Sequence, residues 1–442
     1  MNYKKISSFV FFIAILLRVL LSFFNFQAPD NHLEVSQIIK NESRLPTKDD
    51  CWEGFQPKFY HLAVAAILKV FHIENYWYQV LVAQFLSCVA GILTIYIVWR
   101  FLQNRGLSDK IKAISFSLIA LNPELIGLSA QATNDSFVIL FSTLAIYYTC
   151  DFFKSGRFGQ FLRMTTFTVL AGLSKGNGLV VFLCILAIFF FKAIVDKKYS
   201  AYLIGFIVLF MAVVPFFGQY WYNYQHFGSP FVTNMETQPF PHFFKRTFYA
   251  YPGVTSILDS YFTFRLFDLV RHPATAYGNV WFPLHRTSLW SHMYGSAHFI
   301  YFDICPLGWR TTNALILNAG RAIFILALFP TIFLLRGLIA MLRRDGRILS
   351  VFFFGYISFI ILYTLRMRDF GTMKAIFVFP AILPIAGLIS EGASAVYKAF
   401  EGKRSVVLIF DLALSLLFTL YYFTIMTLIY KFFKIFVFAL NA

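Results

Sequence analysis

The chain has 442 residues, 59 % hydrophobic and only 13 % charged, against roughly 45–50 % and about 25 % in an ordinary soluble domain, so its charges are too few to cover a soluble surface. Its 57 Phe, 24 Tyr and 7 Trp favour burial and exclude disorder, and continuous apolar runs along the whole length exclude a single anchor and a β-barrel. The excess of 38 Lys and Arg over 21 Asp and Glu, a formal +17, lies in short loops between those runs and forms no basic patch interleaved with exposed aromatics, which speaks against a nucleic-acid partner.

A membrane-crossing helix needs about 20 apolar residues. The runs predict an all-α, polytopic transmembrane bundle of about 11 spans, at 6–26, 77–99, 113–130, 135–152, 162–174, 177–193, 201–222, 312–335, 348–365, 373–392 and 405–428. The first run is too long for a signal-peptide core and has no small-residue cleavage site, so it is expected to be retained. With the N-terminus inside, the inner loops and adjoining span ends collect 19 of the 38 basic residues, from Lys4 and Lys5 through Arg100, Arg105, Lys110 and Lys112 to Lys398, Lys403 and Arg404. The positive-inside rule then sets the orientation. Three regions follow: an N-terminal transmembrane module, 1–222, with a first outer loop at 27–75; an outer region at 223–311; and C-terminal transmembrane helices at 312–442.

In the first span Arg18 is a costly intramembrane charge. It either faces a polar interior or is paired or snorkelling. The first outer loop holds seven of the 21 acidic residues: Asp30, Glu34, Glu42, Asp49, Asp50, Glu53 and Glu74. Asp30 lies just past the outer end of the first helix, where a partly desolvated carboxylate suits a general base taking a proton from an acceptor hydroxyl or amine. The competing reading makes Asp30 a helix cap, since Pro29-Asp30-Asn31-His32 is a plausible helix start. His32 and Glu34 could join Asp30 around a divalent metal, although Asp-x-His-x-Glu is no established metal spacing. His32–Asn41 predicts a short amphipathic helix. Phe59 to Phe71, with Tyr60, His61 and Lys69, predicts an interfacial one, too short to span.

Asn134-Asp135 opens the fourth span on the outer side. Asp135 either complements the helix dipole or lines an outward cavity. Leu173-Ser174-Lys175-Gly176-Asn177-Gly178 interrupts the apolar run from Met164 to Phe191. Lys175, with the N-terminus of the following helix, can hold a phosphate; the alternative is a tight turn whose lysine reaches the interface. In the large outer region, Tyr277 to Phe282 and Ser288 to Gly295 suit either stacking on a sugar or an aromatic belt. Cys51 and Cys305 are the two outer cysteines, and their spacing alone argues no disulfide. Arg366-Met367-Arg368-Asp369 and Lys374 form a second outer basic cluster, where an anionic ligand would explain the breach of the charge rule.

In order and topology these features resemble the GT-C superfamily of integral membrane glycosyltransferases, in the branch of protein O-mannosyltransferases and aminoarabinose transferases. The residues that carry the resemblance are Pro29-Asp30-Asn31-His32, then Gln56-Pro57-Lys58-Phe59-Tyr60-His61 where that family has a Pro-Pro-Leu-Tyr-Tyr-like segment. Asn134-Asp135, Leu173-Ser174-Lys175 and Lys374-Ala375 through Pro384 follow. A single proline, Pro57, stands where the family often has two, and Asn31 replaces the second residue of its acidic pair. The resemblance implies a polyprenyl-phosphate sugar donor with its phosphate near Lys175, Arg368 or Lys374. Asp30 would be the base, and His32, Tyr60, His61, Asn134 and Asp135 would contact substrate. It also implies a glycan, lipid or protein acceptor, attacked with inversion in one displacement, with membrane lipids around the bundle. No cofactor is required, though a divalent metal stays open. The rival from another class is a lipid-linked sugar flippase or transporter. The Lys- and Phe-rich composition, with no signal or retention tail, favours a bacterial plasma membrane, with endoplasmic reticulum the alternative.

Overall fold

The computed structural model describes residues 3–26, 28–197, 199–232, 257–274, 287–302, 309–342, 347–366 and 371–441. All of its regular structure there is helical. In chain order the helices are α1 (Tyr3–Asn25), α2 (His32–Glu42), α3 (Phe59–Val70), α4 (Tyr76–Gln103), α5 (Asp109–Ala120), α6 (Pro123–Ser129), α7 (Asp135–Ser155), α8 (Phe158–Ser174), α9 (Leu179–Asp196), α10 (Tyr199–Val213), α11 (Gly218–Phe227), α12 (Ile257–Phe262) and α13 (Leu266–Arg271). They continue as α14 (Leu289–His298), α15 (Ala314–Leu326), α16 (Leu328–Leu342), α17 (Arg347–Arg366), α18 (Ile382–Ala399) and α19 (Arg404–Asn441).

Among the described residues nine helical stretches are long and apolar enough to cross a membrane, or ten if the bent pair α5–α6 is one span. The expected eleventh is α8, which at 17 residues is about 26 Å long by the helical rise and just short of a bilayer core. It still returns the chain across the bundle, because the start of α7 and the end of α8 meet: Lys175 Nζ lies 2.7 Å from Asp135 Oδ1. The connections sort into two sets that meet at opposite ends. At one end, Asn25 donates to Ala130 O at 2.8 Å, Trp309 donates to Asn25, Arg366 donates to Phe231 O and Ala375 N donates to Ser296 Oγ. At the other, Arg105 pairs with Glu391 and Lys110 with Asp411. The charge bias expects the Arg105 and Lys110 end to be the inner one.

The run 113–130, expected as one straight span, is instead broken by 51° between α5 and α6. Asn122 caps α6 by accepting from Leu125 N at 3.0 Å, and Pro123 occupies its first turn. That combination starts a new helix rather than continuing an old one. A break frees backbone carbonyls, which inside a bilayer need internal donors. Arg18 supplies one: its Nη1 donates to Ala120 O at 2.9 Å and to Ala14 O at 3.0 Å. Of the two readings of Arg18, the polar interior is the one found. Asn25 and Gln84 both donate to Ala130 O at the far end of α6. Ser87 holds Thr133 O, so the α6–α7 loop is pinned from below.

α16 and α18 touch backbone to backbone. A Cβ added to Gly392 would stand 1.7 Å from Phe333 O, and one added to Gly337 would stand 1.8 Å from Leu388 O. Such small-residue contacts hold membrane helices by close packing. α18 also continues from the turns that carry Lys374 and Phe377, so this contact sets their depth. Gly392→Ala is expected to cost about 1–3 kcal/mol or more by overpacking and to lower the melting temperature in detergent. Gly159→Ala, in α8 with nothing within 4 Å of its added Cβ, should leave it unchanged.

The second outer region is only partly described. Tyr277 to Phe282 and Cys305 lie outside the described residues. Within α14, Trp290 donates to Tyr261 O and Tyr294 to Phe324 O, each at 2.6 Å. These aromatics therefore pack α14 down rather than present a sugar platform. α19, 38 residues long and about 57 Å by the helical rise, continues well past Tyr430. Its Phe433 and Phe436 stack edge-on against Phe24, and Lys431 donates to Arg310 O.

A candidate active site at the outer ends of the spans

The site is built where α1 ends, α7 begins and α8 breaks to α9, at the end that the charge bias expects to be the outer one. The chain leaves α1 and turns sharply at Pro29–Asn31, with Asp30 at φ 54° and Asn31 at φ 57°, both left-handed. A non-glycine residue there costs about 1–2 kcal/mol, and Asp and Asn are the side chains that tolerate it best. The turn leaves Asp30 exposed. Asn31, not Asp30, stands at the head of α2 and makes no side-chain cap. The capping reading of Asp30 does not hold.

Beneath Asp30 runs a buried polar line. His61 Nε2 and His32 Nδ1 are 3.1 Å apart, and His32 Nε2 lies 3.3 Å from Thr133 Oγ1. Thr133 donates to Asp135 Oδ2 at 2.8 Å, and Lys175 Nζ donates to Asp135 Oδ1 at 2.7 Å. The lysine also lies 5.6 Å from the Phe377 ring centroid. A second line comes from the first outer loop. Gln56 donates to Glu53, and Asn134 Nδ2 donates to Gln56 Oε1 at 2.7 Å and to Ser174 O at 3.1 Å. Asn223, midway along α11, donates to Phe55 O and clamps the same loop.

Burial governs the electrostatics. Desolvation, helped by the Lys175 charge, lowers His32 to about 4. Desolvation and His32 push His61 well below the usual imidazole range. Burial pushes the Glu53 carboxyl up to about 8, Lys175 opposing the shift and Asp30 and Asp135 adding to it. The buried Lys58 ammonium falls to about 8, while donating to Gly54 O and Gln56 O. The same charges, those of Asp30, Asp135 and Lys175, act on both His32 and Glu53, which makes this one electrostatic unit.

Of the residues singled out from sequence, the structure joins His32 to His61 and Asp135 to Lys175 directly, links the two pairs through Thr133, places Asn134 on the second line beside them and sets Asp30 at their rim. Lys374 is half-buried and heads the short turn that ends at Phe377, under Lys175. Arg368 lies outside the described residues. Tyr60 is placed elsewhere: its hydroxyl donates to Ala83 O at 3.0 Å and its ring packs on Phe137, so it seats α3 on α4. Glu34 and His32 do not converge with Asp30 as a cation site. Among the described residues no three His, Cys, Asp or Glu side chains are grouped to hold a metal, and both oxygens of Asp135 already face Lys175 and Thr133. The residues present do not fit a divalent metal. Glu53, Gln56, Thr133 and Lys58 belong to the site and were not singled out from sequence. The Gln56-Pro57-Lys58 match contained two of them.

Comparison with known proteins gives the same fold. Residues 56–218 match the family model for dolichyl-phosphate-mannose-protein mannosyltransferase, a stretch that holds Asn134, Asp135 and Lys175 but not Asp30. The oligosaccharyltransferase of Archaeoglobus fulgidus in its apo form superposes with a TM-score of 0.54 at 14 % identity, over 95 % of this chain and 56 % of its own. The AglB structure from that organism, with an inhibitory peptide and a dolichol-phosphate, gives 0.54 and 14 % over 96 % and 56 %. The chain thus spans about half the length of these enzymes. ArnT from Cupriavidus metallidurans, bound to undecaprenyl phosphate, aligns over 89 % of this chain and 77 % of its own at 14 % identity and TM-score 0.35, too loose to bear on the site. No curated protein matches the sequence. The chain shares the fold of the archaeal oligosaccharyltransferase, and part of it matches a mannosyltransferase family model, as the resemblance read from the sequence expects.

Proposed function

We propose that the chain transfers a sugar from a polyprenyl-phosphate donor to an acceptor at the outer face of the membrane. The observation that carries this reading is the exposed Asp30 set over the buried Asp135–Lys175 pair: a base open to an acceptor, and a cation at membrane depth for an anion. Asp30 takes the proton from the acceptor hydroxyl or amine. The acceptor heteroatom bonds to the anomeric carbon as the bond to the phosphate oxygen breaks, and the electron pair leaves on the phosphate. Lys175, with Lys374 nearby, stabilises that departing charge. Asn134 holds the first outer loop against the α8–α9 break, which keeps Asp30 and Lys175 in register. The dolichol-phosphate bound to the archaeal enzyme of the same fold supports a lipid-phosphate donor. The Lys- and Phe-rich composition favours a bacterial plasma membrane.

The test is transfer from a panel of radiolabelled polyprenyl-phosphate sugars in membranes containing the chain. Label moving into a non-donor product is the expected result and names the sugar. Label that only crosses the bilayer would replace this reading with a lipid-linked sugar flippase.

A further inference from the structure

The line Asp135–Thr133–His32–His61 has one consistent hydrogen-bond direction. Thr133 has a single proton and gives it to Asp135 at 2.8 Å. Its oxygen must then accept from His32 Nε2, so neutral His32 carries its proton there. His32 Nδ1 is left as an acceptor and His61 Nε2 must donate to it. That leaves Nδ1 of His61, in a fully buried ring, as the end of the line, where a backbone hydrogen bond to Pro57 favours the protonated ring. Every bond points toward Asp135, whose charge Lys175 neutralises at 2.7 Å.

A phosphodiester donor brings one further negative charge into this buried site. If it draws Lys175 toward its phosphate, Asp135 loses its partner and the site carries an uncompensated charge, which low-dielectric surroundings do not tolerate. Building on the function proposed above, we propose that donor binding is coupled to uptake of one proton from solvent by the His32–His61 pair, which balances the charge that Lys175 no longer cancels. The charged groups that act on the pair are Asp30 beside α2, Lys58 from the first outer loop, Asp135 at the head of α7 and Lys175 at the α8–α9 break, and Glu53 feels three of them, Asp30, Asp135 and Lys175. At pH 6.5 Glu53 is already protonated and Lys58 already charged, so neither can take up a proton there. The histidines are held neutral by burial together with the Lys175 charge, and withdrawal of that charge raises their proton affinity. They serve as positioning residues that let the site hold the intact donor without net charge.

Farnesyl-phosphate mannose is a suitable probe, since a phosphodiester has no group that titrates near neutral pH. Its binding enthalpy at pH 6.5, measured calorimetrically in buffers of different ionisation enthalpy, should show uptake of about one proton per donor. The double variant His32→Gln, His61→Gln should still bind the probe but take up none. Binding without proton uptake in the wild-type chain overturns the inference. So does uptake that persists when His32→Gln and His61→Gln are combined, which would assign the proton to Asp135 or Asp30. A chain that binds no donor overturns the functional reading beneath it, and this inference with it.

Discussion

Asp30→Asn is expected to lower kcat/KM for sugar transfer by roughly 10²–10⁴-fold, the usual contribution of a general base. Donor affinity should stay within about twofold, because the carboxylate acts on the acceptor only in the transition state. Asparagine is the informative substitution because Asp30 sits at φ 54°. Asparagine tolerates that left-handed backbone as aspartate does, whereas alanine would add about 1–2 kcal/mol of strain to a turn that positions α2. The exposed carboxylate contributes no packing, so the variant should fold and melt as the wild type does. Turnover by the Asn variant within tenfold of wild type would place the base elsewhere.

The membrane architecture was legible because apolar length and charge placement are local quantities. Each run long enough to span became helical, some as two successive helices, and the basic loops gathered at one end, where Arg105–Glu391 and Lys110–Asp411 lie. The break at Asn122-Pro123 was written in the sequence as a cap and a first-turn proline, but a hydropathy reading passes over one polar residue within an apolar run. The site was legible in part. Asp30, Asp135 and Lys175 are each polar at a place where a span ends, and that is a local anomaly. Glu53 carries no such mark among the seven acidic residues of its loop. Its burial is decided by Gln56 meeting Asn134, 78 positions away, a contact that only the fold makes. Tyr60 shows the converse. An aromatic in the right segment reads as a sugar contact, yet its hydroxyl is taken by Ala83 O. His32 and His61, read as separate substrate contacts, are each other's partners, and nothing in a 29-residue separation announces that.

Lys175→Gln is the substitution expected to hurt most broadly, and its effects can be separated. Lys175 and Asp135 are 13 % and 5 % exposed and 2.7 Å apart. Removing one member of such a buried pair leaves the other uncompensated, at a cost of about 3–5 kcal/mol. The single variant should therefore melt well below wild type. Adding Asp135→Asn removes the orphaned charge, and the double variant should regain most of that loss. The catalytic defect follows a different rule. Losing the cation at the α8–α9 break removes a stabilising charge from the departing phosphate, worth on the order of 10²–10³-fold in kcat, and no substitution at Asp135 can replace it. The double variant should thus be stable and still inactive. Lys175→Arg keeps the charge but replaces a point ammonium with a broader planar fork, in a space closed by the Phe377 ring, so it should retain stability better than it retains turnover. Thermal melts and single-turnover rates on the same four proteins decide the matter. If stability and rate recover together in the double variant, Lys175 is only the structural partner of Asp135. If stability returns and rate does not, the lysine acts on the donor, and the ion pair is the resting position of a charge that the reaction uses.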